Sequence, residues 1–117
     1  MRYESVPPVS RDDLRLALAE KDNEAIHRAL VGLALHDADG AWVQDQCLAL
    51  KDHPSWDVRA IALLCLGHVA RIHGTIDLDR VLPVLRSALN DPRTAGYAEQ
   101  AIDDIEVFVT PDQGPHT

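Results

Sequence analysis

The chain has 117 residues, of which 46% are apolar and only 4% are aromatic, and its formal net charge is −8. A chain of this length folds as one domain with its own core, and a core built mainly from leucine and alanine favours helices. Because phosphate binding needs a cationic surface, the charge argues against nucleic acid as a direct partner and is compatible with a basic protein.

Helix starts are marked by capping residues along the chain. Ser10 followed by Asp13 has the spacing of a capping box. Either Asp22 or Asn23 caps the next helix, and Ser55 is placed to cap a later one. These residues divide the sequence into separate helical segments.

Apolar residues recur at helical spacing within these segments, and no segment alternates with period two for long enough to form a strand. Pro54 interrupts the chain, whereas Pro83 lies inside a helix and should bend it. The sequence predicts six helices in three antiparallel pairs, over 11–21, 24–36, 41–52, 56–72, 77–89 and 94–109.

The two cysteines, Cys47 and Cys65, fall at apolar helical positions and lack a C-x-x-C partner. We therefore expect small buried side chains in a reducing compartment, with neither a disulfide nor a zinc site. Residues 1–10 lack the apolar segment of a signal peptide, and the longest uncharged apolar run, 60–70, is too short to span a bilayer. These features predict a cytoplasmic protein without a membrane partner.

Two stretches of the chain are similar to each other at an offset of 38 to 39 residues. They are LKDHPSWDVRAIALLCL (50–66) and LNDPRTAGYAEQAIDDI (89–105), so that Asp52 aligns with Asp91. A repeat of about forty residues made of two helices is typical of a helical solenoid.

The pattern D-x-P-x-x-x-V-R-x-x-A-x-x-x-L-G, from Asp52 to Gly67, resembles a HEAT repeat. The LPVL segment at 82–85 resembles the proline-bearing first helix of the following repeat. The resemblance implies that Asp52 and Arg59 form a structural ladder between the turn and the second helix.

The same resemblance implies an all-α fold, a short right-handed α–α solenoid of about three HEAT-like helical pairs. We expect this single helical-repeat domain to cover residues 11–109. The segments before and after it, 1–10 and 110–117, are expected to be a flexible lead-in and a flexible tail.

No catalytic motif is visible in the sequence: there is no G-x-S-x-G, no glycine-rich phosphate loop and no serine beside a base. His68 and His73 lie five residues apart, which does not place them on one helical face. The DADG segment at 37–40 lacks the rest of an EF-hand loop. We expect a protein that is not an enzyme and that uses neither a cofactor nor a metal ion.

The last predicted helix carries an acidic stripe. Glu99, Asp103 and Glu106 line up at i, i+4 and i+7 on its outward side, and residues 91–112 contain six acids and one base, Arg93. The stripe is either a solvated face or a surface for a basic partner. A partner is favoured by the absence of the mixed charges that an ordinary solvated helix carries.

Trp56 begins the fourth predicted helix, on the side opposite to its main apolar face. It either closes the core between helical pairs, under Tyr97 or the loop near Arg93, or anchors an interface, where tryptophan is strongly enriched. Asp57 beside it keeps the patch acidic. The candidate partner-binding residues are Trp56, Asp57, Arg93, Tyr97, Glu99, Asp103 and Glu106.

In size, repeat and charge the sequence resembles the immunity proteins of contact-dependent growth inhibition and other polymorphic toxin systems of bacteria. The resemblance implies a binding module that covers the active site of a cognate toxin. We expect that toxin to be a basic domain, often a nuclease, and the protein to be a monomer or one half of a 1:1 heterodimer.

Two other functions stay open on the sequence. One is a HEAT-like adaptor or regulatory subunit with an unrelated protein partner. The other is an enzyme with a site on the concave face, as in some helical-repeat glycosylases, but such an enzyme needs a basic surface towards DNA, and this chain is acidic.

Overall fold

The computed structural model describes residues 9–109, and the regular elements of this part of the chain are six α-helices. The predicted helical class and helix order are thereby confirmed, and the bounds agree to within one residue except at the end of the third helix. The helices are α1 (Arg11–Glu20), α2 (Asn23–His36), α3 (Gly40–Ala49), α4 (Trp56–His73), α5 (Leu78–Ala88) and α6 (Ala95–Phe108).

The end of α3 was predicted too late, at residue 52. The helix ends at Ala49 and continues into turns in which the amides of Lys51 and His53 donate to carbonyls three residues back. The residue before a proline is pushed out of the helical conformation, so the chain unwinds ahead of Pro54. The segments predicted to be flexible, 1–10 and 110–117, lie outside the described residues, apart from positions 9 and 10.

Side-chain caps start most of the helices. The Ser10 hydroxyl accepts a hydrogen bond from the Asp13 amide, and the Asp13 carboxylate accepts one from the Ser10 amide, which completes the predicted capping box. Asp22 accepts from the amide three residues on. Ser55 is the N-cap residue of α4 as predicted, but its side chain accepts no hydrogen bond from the helix amides, and its hydroxyl donates to the carboxylate of Asp57.

The helices form three consecutive pairs, α1 with α2, α3 with α4 and α5 with α6. The second helices of the pairs, α2, α4 and α6, also pack side by side in one layer, with α4 between the other two. Helical pairs stacked so that each covers its neighbour are the arrangement of a short solenoid.

The central helix α4 is buried on almost every side. Its predicted apolar face is buried, and so are Ala60, Leu63 and Gly67 on the opposite side. Both cysteines are free and buried, and the Cys47 side chain together with burial raises the pKa of the Cys65 thiol. The core is thus continuous through α4 and is built from aliphatic side chains.

Gly67 allows α4 and α6 to approach closely. A β-carbon at this position would lie 2.9 Å from the Cα atom of Ala101 and 2.8 Å from a carboxylate oxygen of Asp104. Atoms of a side chain do not come so close to a backbone, so any other residue at this position would push the two helices apart.

Arg59 closes the turn between α3 and α4, although not with the predicted partner. Its guanidinium donates to the carbonyl oxygens of His53, at 2.7 Å, and Pro54, at 3.3 Å. Asp52 points to solvent and pairs with Lys51. The predicted Asp52–Arg59 ladder is therefore wrong: the turn leaves carbonyls without helical donors, and the guanidinium reaches those instead.

Two polar links hold α5 against α3. The buried side chain of Gln44 accepts a hydrogen bond from the amide of Asp77 at 2.7 Å, and Arg80 forms an ion pair with Asp45 at 3.0 Å. The buried hydroxyl of Thr94 donates to the carbonyl of the last α5 residue at 2.9 Å, which fixes the turn into α6.

We expect Gly67→Ala to destabilise the fold although alanine favours helices. Overpacking of the α4–α6 contact should lower the free energy of unfolding by about 1–3 kcal/mol. Gly96→Ala is the matched control, because it is also helical but has open space around it, and it should raise stability by about 0.5–1 kcal/mol. Urea denaturation of both variants measures this. Equal effects of the two substitutions would contradict the close approach.

Candidate partner-binding surface

Trp56 lies where the N-terminal ends of α4 and α6 meet. The residue is 39% exposed, and the guanidinium carbon of Arg93 lies 6.0 Å from the ring centroid, at the outer limit of a cation–π contact. Asp91 holds Arg93 in place, since its carboxylate accepts from the Arg93 amide at 3.0 Å. The loop near Arg93, which the core-closing alternative placed over Trp56, therefore lies against the ring, while Trp56 as a whole stays 39% exposed.

Asp57 places a negative charge beside this indole. Its carboxylate accepts hydrogen bonds from the Ser55 hydroxyl and from the amide of Val58. The bond from Ser55 is the main reason that the pKa of Asp57 is lower than usual, and the charge of His27 on α2 contributes a little. Asp57 thus remains ionised at neutral pH.

The acidic stripe of Glu99, Asp103 and Glu106 is fully on the outside of α6. Within residues 9–109, none of the three carboxylates forms an ion pair with a lysine or arginine. Since an α-helix rises 1.5 Å per residue, the stripe is about 10 Å long. Tyr97, which is 38% exposed, lies in the first turn of the same helix.

The structure therefore divides the predicted residues into two groups. Trp56, Asp57 and Arg93 form a patch at the N-terminal ends of α4 and α6. The acidic stripe runs from there along α6 towards its C-terminus, with Tyr97 in the first turn between the two groups.

A polar network between α4 and α6 was missed by the sequence analysis. The Nδ1 atom of the buried His68 lies 3.0 Å from an Arg71 guanidinium nitrogen, and since guanidinium only donates, His68 must accept and be neutral. Burial, aided by the charge of Arg71, lowers the pKa of His68 to about 4. Burial raises the pKa of Asp104 on α6, and Arg71 opposes that shift.

Arg11 forms a second cluster that sequence reasoning did not find. Its guanidinium carbon lies 4.1 Å from the ring centroid of Trp42. The same group donates to both carboxylate oxygens of Asp37, at 3.0 and 3.1 Å, which lowers the pKa of that carboxyl. These contacts tie the start of α1 to α3 and to the turn that precedes it.

An apolar groove lies on the outer side of the α5–α6 pair, at the end of the stack. Its volume is about 390 Å³. The groove is lined by Leu78, Leu82, Arg86, Leu89, Ile102, Ile105, Glu106 and Val109. Glu106, the last residue of the acidic stripe, is on the edge of the groove. A signal in the sequence was present: Leu78, Leu82 and Leu89 form a second apolar face on α5 beside the core face.

The described part of the chain contains neither a metal-binding cluster nor a membrane-spanning helix. No group of three or more His, Cys, Asp or Glu side chains among residues 9–109 is arranged to hold a metal ion. None of the helices within that range has the length and hydropathy that a membrane crossing requires.

The resemblance to HEAT repeats is confirmed by comparison with known families, in which residues 43–73 match the HEAT repeat. The match covers most of α3, all of α4, and the turn between them that Arg59 closes. In the curated proteins nothing matches the chain in sequence.

The chain is also similar, over nearly its whole length, to one chain of the crystal structure of a CDI complex from Cupriavidus taiwanensis LMG 19424. The two are 26% identical and superpose with a TM-score of 0.80, and the match covers 94% of this chain and 99% of the other. The HEAT-like helical fold and the resemblance to a component of a contact-dependent inhibition complex are therefore both confirmed.

We expect His68 to make the protein less stable in weak acid. Its pKa is about 4 in the folded state and 6.5 ordinarily, so the unfolded chain takes up the proton first. The contribution of neutral His68 to stability is complete above pH 6.5 and declines as the pH falls towards 4. His68→Gln, which keeps an acceptor for Arg71, should lose less stability between pH 7 and pH 5.

Two measurements check this expectation. Urea denaturation at each pH compares the wild type with His68→Gln, and the carboxylates that also titrate are common to both proteins. NMR titration of the His68 ring gives its midpoint directly. A midpoint near the ordinary value, with parallel stability curves for the two proteins, would contradict the buried neutral imidazole.

Proposed function

We propose that this protein is an immunity protein that binds a cognate toxin domain and neutralises it by covering the active site. The observation that carries the proposal is the similarity to a chain of a CDI complex over nearly the full length of both chains. Systems of this class pair a toxin with a protein that blocks it. A stack of helical repeats suits the blocking role, because it offers an extended surface for binding another protein.

The charges support a basic toxin, of which a nuclease is the natural example. The net charge is −8, and the carboxylates of Glu99, Asp103 and Glu106 have no cationic partner within residues 9–109. Carboxylates in the groove of a nuclease would take the positions of substrate phosphates. Long-range attraction would also accelerate association.

The patch around Trp56 supplies what the stripe lacks, an apolar group that a partner can bury. Interfaces owe most of their affinity to a few such residues, with tryptophan and arginine foremost. Trp56 with Arg93 against its ring, and Asp57 beside it, would form the anchor, and the stripe would steer the approach. In this proposal the protein acts by binding alone, without catalysis of its own.

The test is co-expression with the toxin domain encoded next to its gene. The protein should restore growth of cells that produce the toxin and should copurify with it as a 1:1 complex. An immunity protein of an unrelated toxin is the control and should not rescue. Stable binding to a non-toxic protein, without protection from the neighbouring toxin, would favour the alternative of a HEAT-like adaptor. The observation that supports this alternative is the match to the HEAT repeat.

Trp56→Ala should weaken toxin binding by about 2 kcal/mol or more, mainly through faster dissociation. Its melting temperature should change little, since the residue is 39% exposed. Ile72→Ala, at the other end of α4 and similarly exposed, is the control for loss of apolar surface. A loss of stability of about 3 kcal/mol with unchanged affinity would show that the indole belongs to the core.

Reversal of the stripe, Glu99→Lys with Asp103→Lys and Glu106→Lys, should slow association and reduce its salt dependence, because exposed charges act mainly on the on-rate. The control is the same change of charge at the other end of the molecule, at the exposed Asp12, Glu20 and Glu24. Stopped-flow binding at several salt concentrations measures both. Equal slowing by the two triple variants would mean that only net charge matters.

A further inference from the structure

The two ends of the helical stack have different chemical character. At the α1–α2 end the exposed side chains are mostly charged, and Leu16 is a single exposed leucine. At the α5–α6 end lies the apolar groove, with Leu89 exposed beside it and Leu82 and Ile102 half-buried in it. Repeat proteins normally close a stack with a polar outer face, and at the α5–α6 end the apolar groove interrupts that face.

Neither residues 110–117 nor a second copy of the chain suits the groove. Residues 110–117 read TPDQGPHT and contain no leucine, isoleucine, valine or aromatic side chain that would fill an apolar groove. A second copy would bring together two molecules that each carry a net charge of −8. Like charges in such a contact are unfavourable.

The charges at the edges indicate what does fit. Glu106 lies on the α6 edge, and the rest of the acidic stripe continues from it along the same helix. Arg86 lies on the α5 edge. A partner segment that places aliphatic side chains in the groove and lysine or arginine towards α6 would satisfy both the apolar floor and the unpaired carboxylates.

We infer that this groove, which we call the end groove, is the docking site for an aliphatic segment of the cognate toxin flanked by basic residues. The inference rests on the proposed function and specifies where on this protein part of the toxin binds. The end groove and the acidic stripe share Glu106, so one partner that covers the stripe also reaches the groove. Burial of apolar side chains in a pocket that a polar rim surrounds contributes to affinity at such a contact.

The experiment measures binding of the catalytically inactivated toxin domain encoded next to the gene, by calorimetry, to three forms of the full chain. They are the wild type, a groove variant with Leu82→Gln and Leu89→Gln, and a control variant with Leu16→Gln at the opposite end. The groove variant should bind about ten-fold more weakly or worse, since each leucine loses the burial that the toxin provides. The control should bind as the wild type does.

Circular dichroism confirms that each form is folded, and Leu89→Gln alone, at an exposed position, replaces the double variant if the latter unfolds. If the groove variant binds the toxin as tightly as the wild type does, the end groove is not the docking site, and the proposed function still stands. Failure of the wild type to bind would overturn both. Sedimentation of the free proteins tests the remaining alternative, in which a second copy of the chain occupies the groove. A wild-type dimer that dissociates when the groove substitutions are made would support that alternative and overturn the inference.

Discussion

The close contact of α4 with α6 at Gly67 is the constraint on which the rest of the molecule depends. Without a side chain at Gly67 the two helices approach until Ala101 and the carboxylate of Asp104 lie against α4. That approach brings the N-terminal end of α6 to the level of α4, so that Arg93 reaches the ring of Trp56. The candidate anchor thus depends on the close contact of α4 with α6 together with the turn that precedes α6.

The uneven surface charge follows from how the basic residues are used. Arg59 binds carbonyls of its own turn, Arg71 donates to His68, and Arg80 bridges to Asp45. Arg11 is taken up by Trp42 and Asp37 in the same way. Because the fold employs so many of its arginines in structural contacts at the turns and between helices, few remain to balance the acids of α6. Its outer face therefore carries uncompensated negative charge, which is an electrostatic condition for fast capture of a cationic protein.

How far the sequence predicts this structure depends on the range of the interactions. Capping and helical periodicity are local, and they placed the helices to within one residue at nearly every end, including the box at Ser10 and Asp13. The repeat at Asp52 to Gly67 gave the stacking of pairs, because a solenoid repeats the same contacts at fixed spacing. Ser55 also takes the predicted N-cap position, but the side-chain bond of a cap is absent, and its hydroxyl is turned towards the carboxylate of Asp57.

The parts that sequence could not supply are those in which distant residues meet. The contact of Arg11 with Trp42, and the position of Asp104 on α6 beside Arg71 on α4, join residues that are far apart in the chain. For the candidate site, exposure of the acidic stripe was readable from its helical spacing, but the contact of Arg93 with Trp56 depends on the turn that precedes α6. The leucines that line the end groove form a second apolar face on α5 that is visible in the sequence. The sequence does not show that this pair ends the stack, so it does not show that the face is left uncovered.

The central position of α4 has a consequence for how the molecule unfolds. In a linear array of repeats, stability is a sum of weak individual units and stronger interfaces between neighbours. Here α4 contributes to the interfaces on both sides at once, and the bond from Asp77 to Gln44 with the Arg80–Asp45 pair adds a second link from α3 to α5. Loss of any one pair would therefore expose the buried surface of α4, so the described pairs should unfold in a single cooperative transition instead of fraying from one end. A binding surface on α6 is then held with the stability of the whole array.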